Sequence, residues 1–445
     1  MRGDATTDAE EQRPTGIRTA VEAFRIRNFR MFWIGGVISN TGRFFQAIAI
    51  PLVIYQLTES AAWVGLAGFA QLLPTALMGP VAGALADRYP RRSILLVTQT
   101  MQALATALLV VMWFGGVRSP GAYIGAAALG GVAAGFNLPA WQALVSELVP
   151  RELLLSAITL NSAQFNAARL FGPALAGVVV AAFGPGWAFT VNAVSYGAVV
   201  VALLLMRLPR LAPAPTEPMR PVREFVETLG YVRARPGIIT AIATVSLIGF
   251  FGITMQVLSV VMAEEVFDRG GDGYGLMVSM IGLGAVLATP VVTSLAGRVT
   301  RSRIEEGSLL LYGAGIITLG LAPVFEVALL GLVVMGAAHI ATASTLNTAI
   351  QLQVDEQVRA KVLSVYLTTL LLANPLGQLV LGQLIERVGP RATIAGAGAV
   401  LLVTALGLGV TGRLKGLDVE VGSYEPAAAA EAHPTVPVPP RRADA

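Results

Sequence analysis

Long apolar runs alternate along this chain with short polar segments that carry most of its arginines. A helix needs about 20 apolar residues to cross the hydrocarbon core of a bilayer. Twelve runs approach or exceed that length: roughly 32–55, 63–86, 94–114, 121–145, 157–182, 187–206, 238–262, 274–296, 307–324, 327–350, 362–384 and 392–412. The pattern predicts an all-α membrane protein of twelve transmembrane helices. The longest interior polar interruption, 207–236, divides the spans six and six. The expected organisation is a cytoplasmic segment 1–28, a six-helix half 29–206, a linker 207–236, a second six-helix half 237–412 and a tail 413–445. Within the linker, Phe225, Leu229 and Val232 recur at helical spacing. That spacing fits an amphipathic helix on the inner membrane surface or a solvated helical linker. The tail is rich in Ala and Pro and is expected to be disordered. Residues 1–28 hold no short apolar segment of the signal-peptide kind, so the first span is expected to act as its own insertion signal.

Composition narrows the class. Charged residues are 13% of the chain and hydrophobic residues 55%, whereas a soluble chain carries about 25% charged residues. The absence of cysteine excludes a disulfide framework, thiolate chemistry and any Cys-based metal site. No metal or cofactor is expected. The net charge of +4 comes from arginines scattered over loops, with no basic face interleaved with aromatics, so nucleic acid is not an expected partner. The distribution of Lys and Arg has a sidedness. The N-terminus, even-numbered loops and C-terminus hold Arg25, Arg27, Arg30, Arg151, Arg207, Arg233, Arg298, Arg303, Lys361, Arg413 and others, while the opposite loops hold only Arg118, Arg269, Arg387 and Arg391. The positive-inside rule then puts both termini in the cytoplasm of a multi-pass protein of a bacterial inner membrane.

The halves echo one another. Pro80-Val-Ala-Gly-Ala-Leu-Ala-Asp-Arg-Tyr-Pro-Arg91 aligns with Pro290-Val-Val-Thr-Ser-Leu-Ala-Gly-Arg-Val-Thr-Arg301. Asn137 and Asn347 keep that offset, and Gly172 and Gly177 match Gly377 and Gly382 after a small gap. Parallel six-span repeats with substrate between them near the midplane are a transporter architecture.

The segment Gly83-Ala-Leu-Ala-Asp87-Arg88-Tyr-Pro-Arg91-Arg92 resembles the loop motif of the major facilitator superfamily. Phe171-Gly172-Pro173-Ala-Leu-Ala-Gly177 resembles the antiporter motif of its exporters, with Ala176 where a second Gly is usual. Arg27-Asn-Phe-Arg-Met-Phe-Trp33 and Asn166-Ala-Ala-Arg169 are similar to the branch of enterobactin-exporter-like and actinobacterial drug-efflux proteins. The resemblance covers about 24–412. It implies a monomeric secondary transporter whose halves rock around a small-molecule site, and a gating role for Gly83, Asp87, Arg88, Arg91 and Arg92. The alternative for those arginines is plain positive-inside anchoring. Gly172, Pro173 and Gly177 either set transport direction or simply allow tight packing. That branch has an acidic residue where this chain has Arg43, so its carboxylate-based ion handling does not carry over.

Arg43 and Arg169 are the sharpest candidates. Each lies inside an apolar run, three residues after an Asn. An Arg at the centre of a span costs about 2.5–3.5 kcal/mol on insertion scales and usually faces a bundle interior or a wet cavity. Here both are expected to face the cavity of the first half and attract an anionic group, with Asn40, Gln46 and Asn166 one turn away; the alternative is a structural role. Asn137, Gln256, His339 and Asn347 are lining candidates by the resemblance, or bonds between helices. No Asp or Glu stands in the central part of a predicted span. Proton-coupling candidates are therefore His339, Glu264 and Glu265, with hydrogen-bonded structural roles as the alternative. The five tryptophans are expected to be interfacial anchors. The functional expectation is export of a drug, siderophore or secondary metabolite by alternating access, coupled to proton antiport. Import of a small organic anion, lipid flipping and a non-transporting scaffold are the alternatives. No nucleotide-binding loop or nucleophile–base pair suggests an enzyme.

Overall fold

The computed structural model describes residues 21–206 and 228–419. Twelve helices long and apolar enough to cross a membrane account for most of them. They are α1 (Arg27–Thr58), α2 (Ala61–Arg88), α3 (Arg91–Phe114), α4 (Pro120–Glu147), α5 (Leu154–Phe183) and α6 (Pro185–Leu205), followed by α7 (Pro236–Val266), α8 (Gly270–Leu295), α9 (Arg301–Leu321), α10 (Phe325–Gln353), α11 (Glu356–Val388) and α12 (Pro390–Val410). An even number of crossings brings residues 21 and 419 to one end of the bundle, the termini end. The connections are short, and turns such as Glu59, Gly184 and Gly389 take positive φ. α7 is irregular, with π-type turns at Ile248–Ile253 and Met262–Val266. Such turns break the 3.6-residue register and occur often at functional sites.

The described part of the linker corrects one expectation. Val232 is buried among Ile238, Leu346 and Ile350 of the second half, not turned to a membrane surface. Phe225 lies outside the described residues, as does the tail from 420. The tail's first turn, Arg413–Asp418, is ordered: Leu414 and Leu417 are buried, and Asp418 accepts hydrogen bonds from Ser302.

Two seams join the halves, α5 on α8 and α2 on α11. Both rely on small residues, since two helix backbones approach closely only where side chains are absent. A Cβ on Gly275 would fall 2.6 Å from the Pro173 carbonyl and 2.7 Å from Gly177 Cα. A Cβ on Gly65 would fall 2.1 Å from the Gln378 carbonyl, and one on Gly382 would fall 2.6 Å from the Ala61 carbonyl. Ala61 and Gly65 stand to Gly271 and Gly275 as Pro80 stands to Pro290, so the duplication written in the sequence builds the same seam twice.

Both seams lie in the half of the bundle away from the termini. On α8 the close approaches to α5 end at Gly282, which faces the Arg169 carbonyl. Beyond it Val286, Leu287, Thr289, Pro290 and Val291 are exposed in succession, and so are Ile158, Ser162 and Asn166 on α5. The helices part towards the termini end. At the opposite end the halves are tied by hydrogen bonds. Tyr55 Oη donates to Glu265 at 3.1 Å, Gln56 Nε2 to Glu264 at 3.2 Å and the Ala62 N–H to Glu386 at 3.1 Å.

Gly275→Leu should force α5 and α8 apart at that sealed end. The chain has no native cysteine, so spin labels placed at Glu59→Cys and Asp268→Cys report the change directly. The expected result is a longer, broader label-to-label distance in the Gly275→Leu background than in its parent.

Candidate functional site

The middle of the bundle holds the groups whose presence in lipid needs an explanation. Arg43 lies midway along α1 and is exposed, on the side of the helix opposite Ile34, nine residues or a half-integral number of turns away. Gly42 next to it packs on Ser195 of α6, and Phe44 on Gly172 of α5. With one neighbour on each side, the Arg43 face turns into the first half's interior and Ile34 turns outward.

Arg169, midway along α5, is half-buried and goes elsewhere. Its charge lies within electrostatic reach of Tyr312 on α9 and His339 on α10, both in the second half. The Tyr312 hydroxyl and His339 Nδ1 are 3.4 Å apart. The Tyr312 ring fills the space opened by Gly252 within the first π-type turn of α7. Arg169, expected to face the cavity of the first half, therefore addresses the second half across the interface. Among the described residues none near it supplies a carboxylate, so its five donors meet neutral groups there.

Several predicted partners are part of the framework. Gln46 is buried: its Oε1 accepts from Thr106 of α3 and from Asn192 Nδ2 of α6, both at 2.8 Å. This ties α1, α3 and α6 together and leaves that oxygen nothing to offer a solute. Asn40 is buried and its Nδ2 has no partner. Asn137 accepts from Gln99 Nε2 on α3 at 3.3 Å, which is a bond between helices. Asn347 accepts from Gln351 on its own helix. The Gln256 side chain is half-buried, and its carbonyl accepts from Tyr274 at 3.2 Å. Asn166 is exposed in the gap between α5 and α8. His339 is committed to Tyr312, and Glu264 and Glu265 are committed to the tie at the sealed end.

The loop-motif residues work within one half. Arg91 pairs with Glu147 at the foot of α4, and Arg92 donates to the Leu203 carbonyl of α6 at 2.7 Å. In this conformation, with the termini end parted, these bonds staple α3 to its own neighbours. Arg88 is exposed; the side-chain environments of Gly83 and Asp87 lie outside the described residues. Trp141 is no interfacial anchor. It is buried, stacked near Phe32, and its Nε1 donates to Asn161 at 3.1 Å.

Sequence reasoning missed one carboxyl group. The ninth apolar run starts at 307, which leaves Glu305 outside the predicted span. The helix starts at Arg301, and Glu305 is fully buried inside it. The adjacent pair Glu305-Glu306 at the edge of the ninth run was the available signal, since two neighbours lie about 100° apart on a helix and need not share an environment. Tyr312 was also missed, since a lone Tyr in an apolar run carries no distinguishing pattern.

Residues 18–433 match the family of transmembrane secretion effectors. This chain belongs to that family, a branch of the major facilitator superfamily. Among its relatives, the staphyloferrin A transporter of Staphylococcus aureus is 24% identical over 65% of this chain and 72% of the relative. The multidrug efflux pump Tap of Mycobacterium tuberculosis is 23% identical over 83% of this chain and 90% of Tap. The enterobactin exporter EntS of Citrobacter koseri is 24% identical over 85% and 90%. The fold matches that of a bacterial homologue of the lysosomal transporter Spinster, inward-facing and unoccupied, with a TM-score of 0.69 and 16% identity over 91% of this chain and 100% of that one. A crystallised nucleoside transporter gives 0.71 at 12% identity over 86% and 99%. The protein is a multi-pass membrane transporter of small molecules, not an enzyme.

The division between framework and site residues is measurable. Gln46→Leu leaves Asn192 Nδ2 short of its acceptor inside the first half, while Thr106 keeps the Gln102 carbonyl at 2.9 Å, and should cost about 1–3 kcal/mol. Its thermal unfolding in detergent should fall by several degrees, whereas exposed Arg43→Gln should unfold close to the parent temperature.

Proposed function

We propose that this transporter exports a small organic compound from the bacterial cytoplasm across the inner membrane, by alternating access with proton antiport, as a monomer with both termini cytoplasmic. The observation that carries the reading is the arrangement of the halves. They are sealed at the end away from the termini and part at the termini end around two midplane arginines, Arg43 and Arg169. A carrier in this conformation accepts its load from the termini side. The arginine excess on that side supports its being the cytoplasm. One chain supplies both halves and both arginines, so a second copy is not required.

The charge of the site supports a substrate with an anionic group. Guanidinium forks match carboxylate, sulfonate or phosphate oxygens, and Tyr312 with His339 can add neutral hydrogen bonds beside Arg169. Relatives named for siderophore and drug transport favour a compound of that size, carried outward. The inside-negative membrane potential would assist expulsion of an anion by about 2.3 kcal/mol per charge per 100 mV. An exposed Arg43 would serve an importer of a small organic anion equally well.

Counterflow in proteoliposomes with matched anionic, neutral and cationic compounds tests both parts. Arg43→Ala and Arg169→Ala are each expected to lose about tenfold or more of anion counterflow, equivalent to one charged hydrogen bond of about 1.4 kcal/mol or more. Cation counterflow should persist. Equal losses for anions and cations would remove the anion reading. Net uptake of the anion driven by an outward-directed proton gradient, with the lumen acidic and the termini outside, is expected for a proton-antiporting exporter; uptake driven instead by an inward-directed gradient would favour proton-coupled import.

A further inference from the structure

Glu305 is a carboxyl group that the transport site does not use. It lies just over one turn from the termini end of α9 and its exposure is 0%. Neither of its oxygens has a hydrogen-bond partner. The Thr342 hydroxyl on α10 lies beside it, short of hydrogen-bond geometry, and Tyr366 on α11 is within electrostatic reach.

The charges on the surrounding elements are engaged elsewhere or remote. On α9 itself, Arg301 donates to the Asp418 carbonyl at 2.8 Å, and Glu306 turns towards Gly409 of α12. On the terminal turn, Asp418 binds Ser302, while Arg413 and Lys415 complete the set. Lys361 begins the membrane part of α11. On α12, Arg391 sits at the opposite end and donates to the Ala322 carbonyl at 2.6 Å. On α10, Glu326 lies at the opposite end, and His339 is one turn from Thr342 and bonded to Tyr312. Among the described residues no cation pairs with Glu305.

The duplication shows that the fold does not need a carboxyl there. Arg91 aligns with Arg301, so the counterpart of Glu305 in the first half is Leu95, also 0% exposed. At the same place in the same helix, one half has a hydrocarbon and the other an acid. An unpaired carboxylate is among the costliest groups to bury, while a neutral carboxylic acid costs far less. Packing would favour leucine, so the acid is retained for something leucine cannot do.

We propose that Glu305 is a proton-binding site of this transporter, neutral while α9, α10 and α11 are packed as here and releasing its proton when that packing loosens. The ligand is the proton itself, held inside the second half and apart from Arg43 and Arg169. Thr342, one turn from His339, lies between Glu305 and the midplane on α10, so a change in how α10 sits is felt at both places. The inference deepens the proton-antiport reading and rests on it.

The test uses the full chain in proteoliposomes, with counterflow of a transported compound and accumulation driven by a pH gradient measured side by side. A carrier that exchanges one proton accumulates its substrate about tenfold per pH unit. Glu305→Gln, which matches the neutral acid in shape, is expected to keep counterflow and to lose this tenfold response. Glu305→Asp, which can still bind a proton, should retain part of it. Infrared spectroscopy should also find a protonated-carboxyl C=O band at neutral pH in the parent that is missing from Glu305→Gln. A Glu305→Gln protein that still accumulates substrate tenfold per pH unit would overturn the assignment and leave export standing. A parent protein with counterflow but no response to pH would instead overturn proton antiport and the role of Glu305 with it. An unchanged infrared band in Glu305→Gln would refute the neutral acid independently of any transport measurement.

Discussion

Close backbone contact between small residues at two interhalf seams is the constraint on which the rest of this transporter depends. Lipid tails are as apolar as leucine, so no hydrophobic force drives the halves together. What holds them is the van der Waals fit of Gly177 against Gly271 and Gly275, and of Gly382 against Ala61 and Gly65. A side chain at Gly65, Gly177, Gly275 or Gly382 would collide with backbone, which cannot move aside. The seams occupy only part of each helix's length, so the same contacts that join the halves also act as the pivot about which the remainder can diverge. Tyr55, Gln56 and the Ala62 N–H then decide which end is shut, through carboxylates of the second half.

Polar groups inside the bundle divide by whether their hydrogen bonds are closed. The first half contains a network in which Gln46, Thr106 and Asn192 satisfy one another, as do Tyr196 and Gln102 at 3.3 Å. Such a network fixes how α1, α3 and α6 sit and leaves little capacity for a solute. Arg43, Arg169 and Glu305 are different. Each carries or can carry a charge, and none has an opposite charge beside it among the described residues. An exposed Arg43 and a half-buried Arg169 suit a visiting anion; a sealed acid suits a visiting proton. Separate places for the two ligands allow them to be linked through helix movement without competing for the same atoms.

The duplicated halves supply an internal comparison that a single-copy fold lacks. Where both copies keep the same chemistry, as at the glycine seams, the requirement is architectural. Where they differ, as at Leu95 and Glu305, the architecture tolerates either residue and the choice reflects function. The first half's Asp87 has Gly297 as its counterpart, so the basic loops of the two halves are also unequal.

Hydrophobic run length determined the twelve helices, because a bilayer admits a spanning segment only if it is long, apolar and internally hydrogen-bonded; the polar interruption at 207–236 marked six and six, and matching residues at a constant offset exposed the duplication. Charge within those runs was equally visible, which is why Arg43 and Arg169 stood out. The direction in which a side chain points was not, since a run that is apolar all round gives no periodicity from which to assign faces. Tertiary structure therefore decided that Gln46 is a strut, that Arg169 addresses Tyr312 and His339, and that Trp141 is core. It also moved the start of α9 back to Arg301, because hydrogen bonds and neighbouring helices, not hydropathy, set where a helix begins. That shift of nearly two turns placed Glu305 inside the helix as a buried acid.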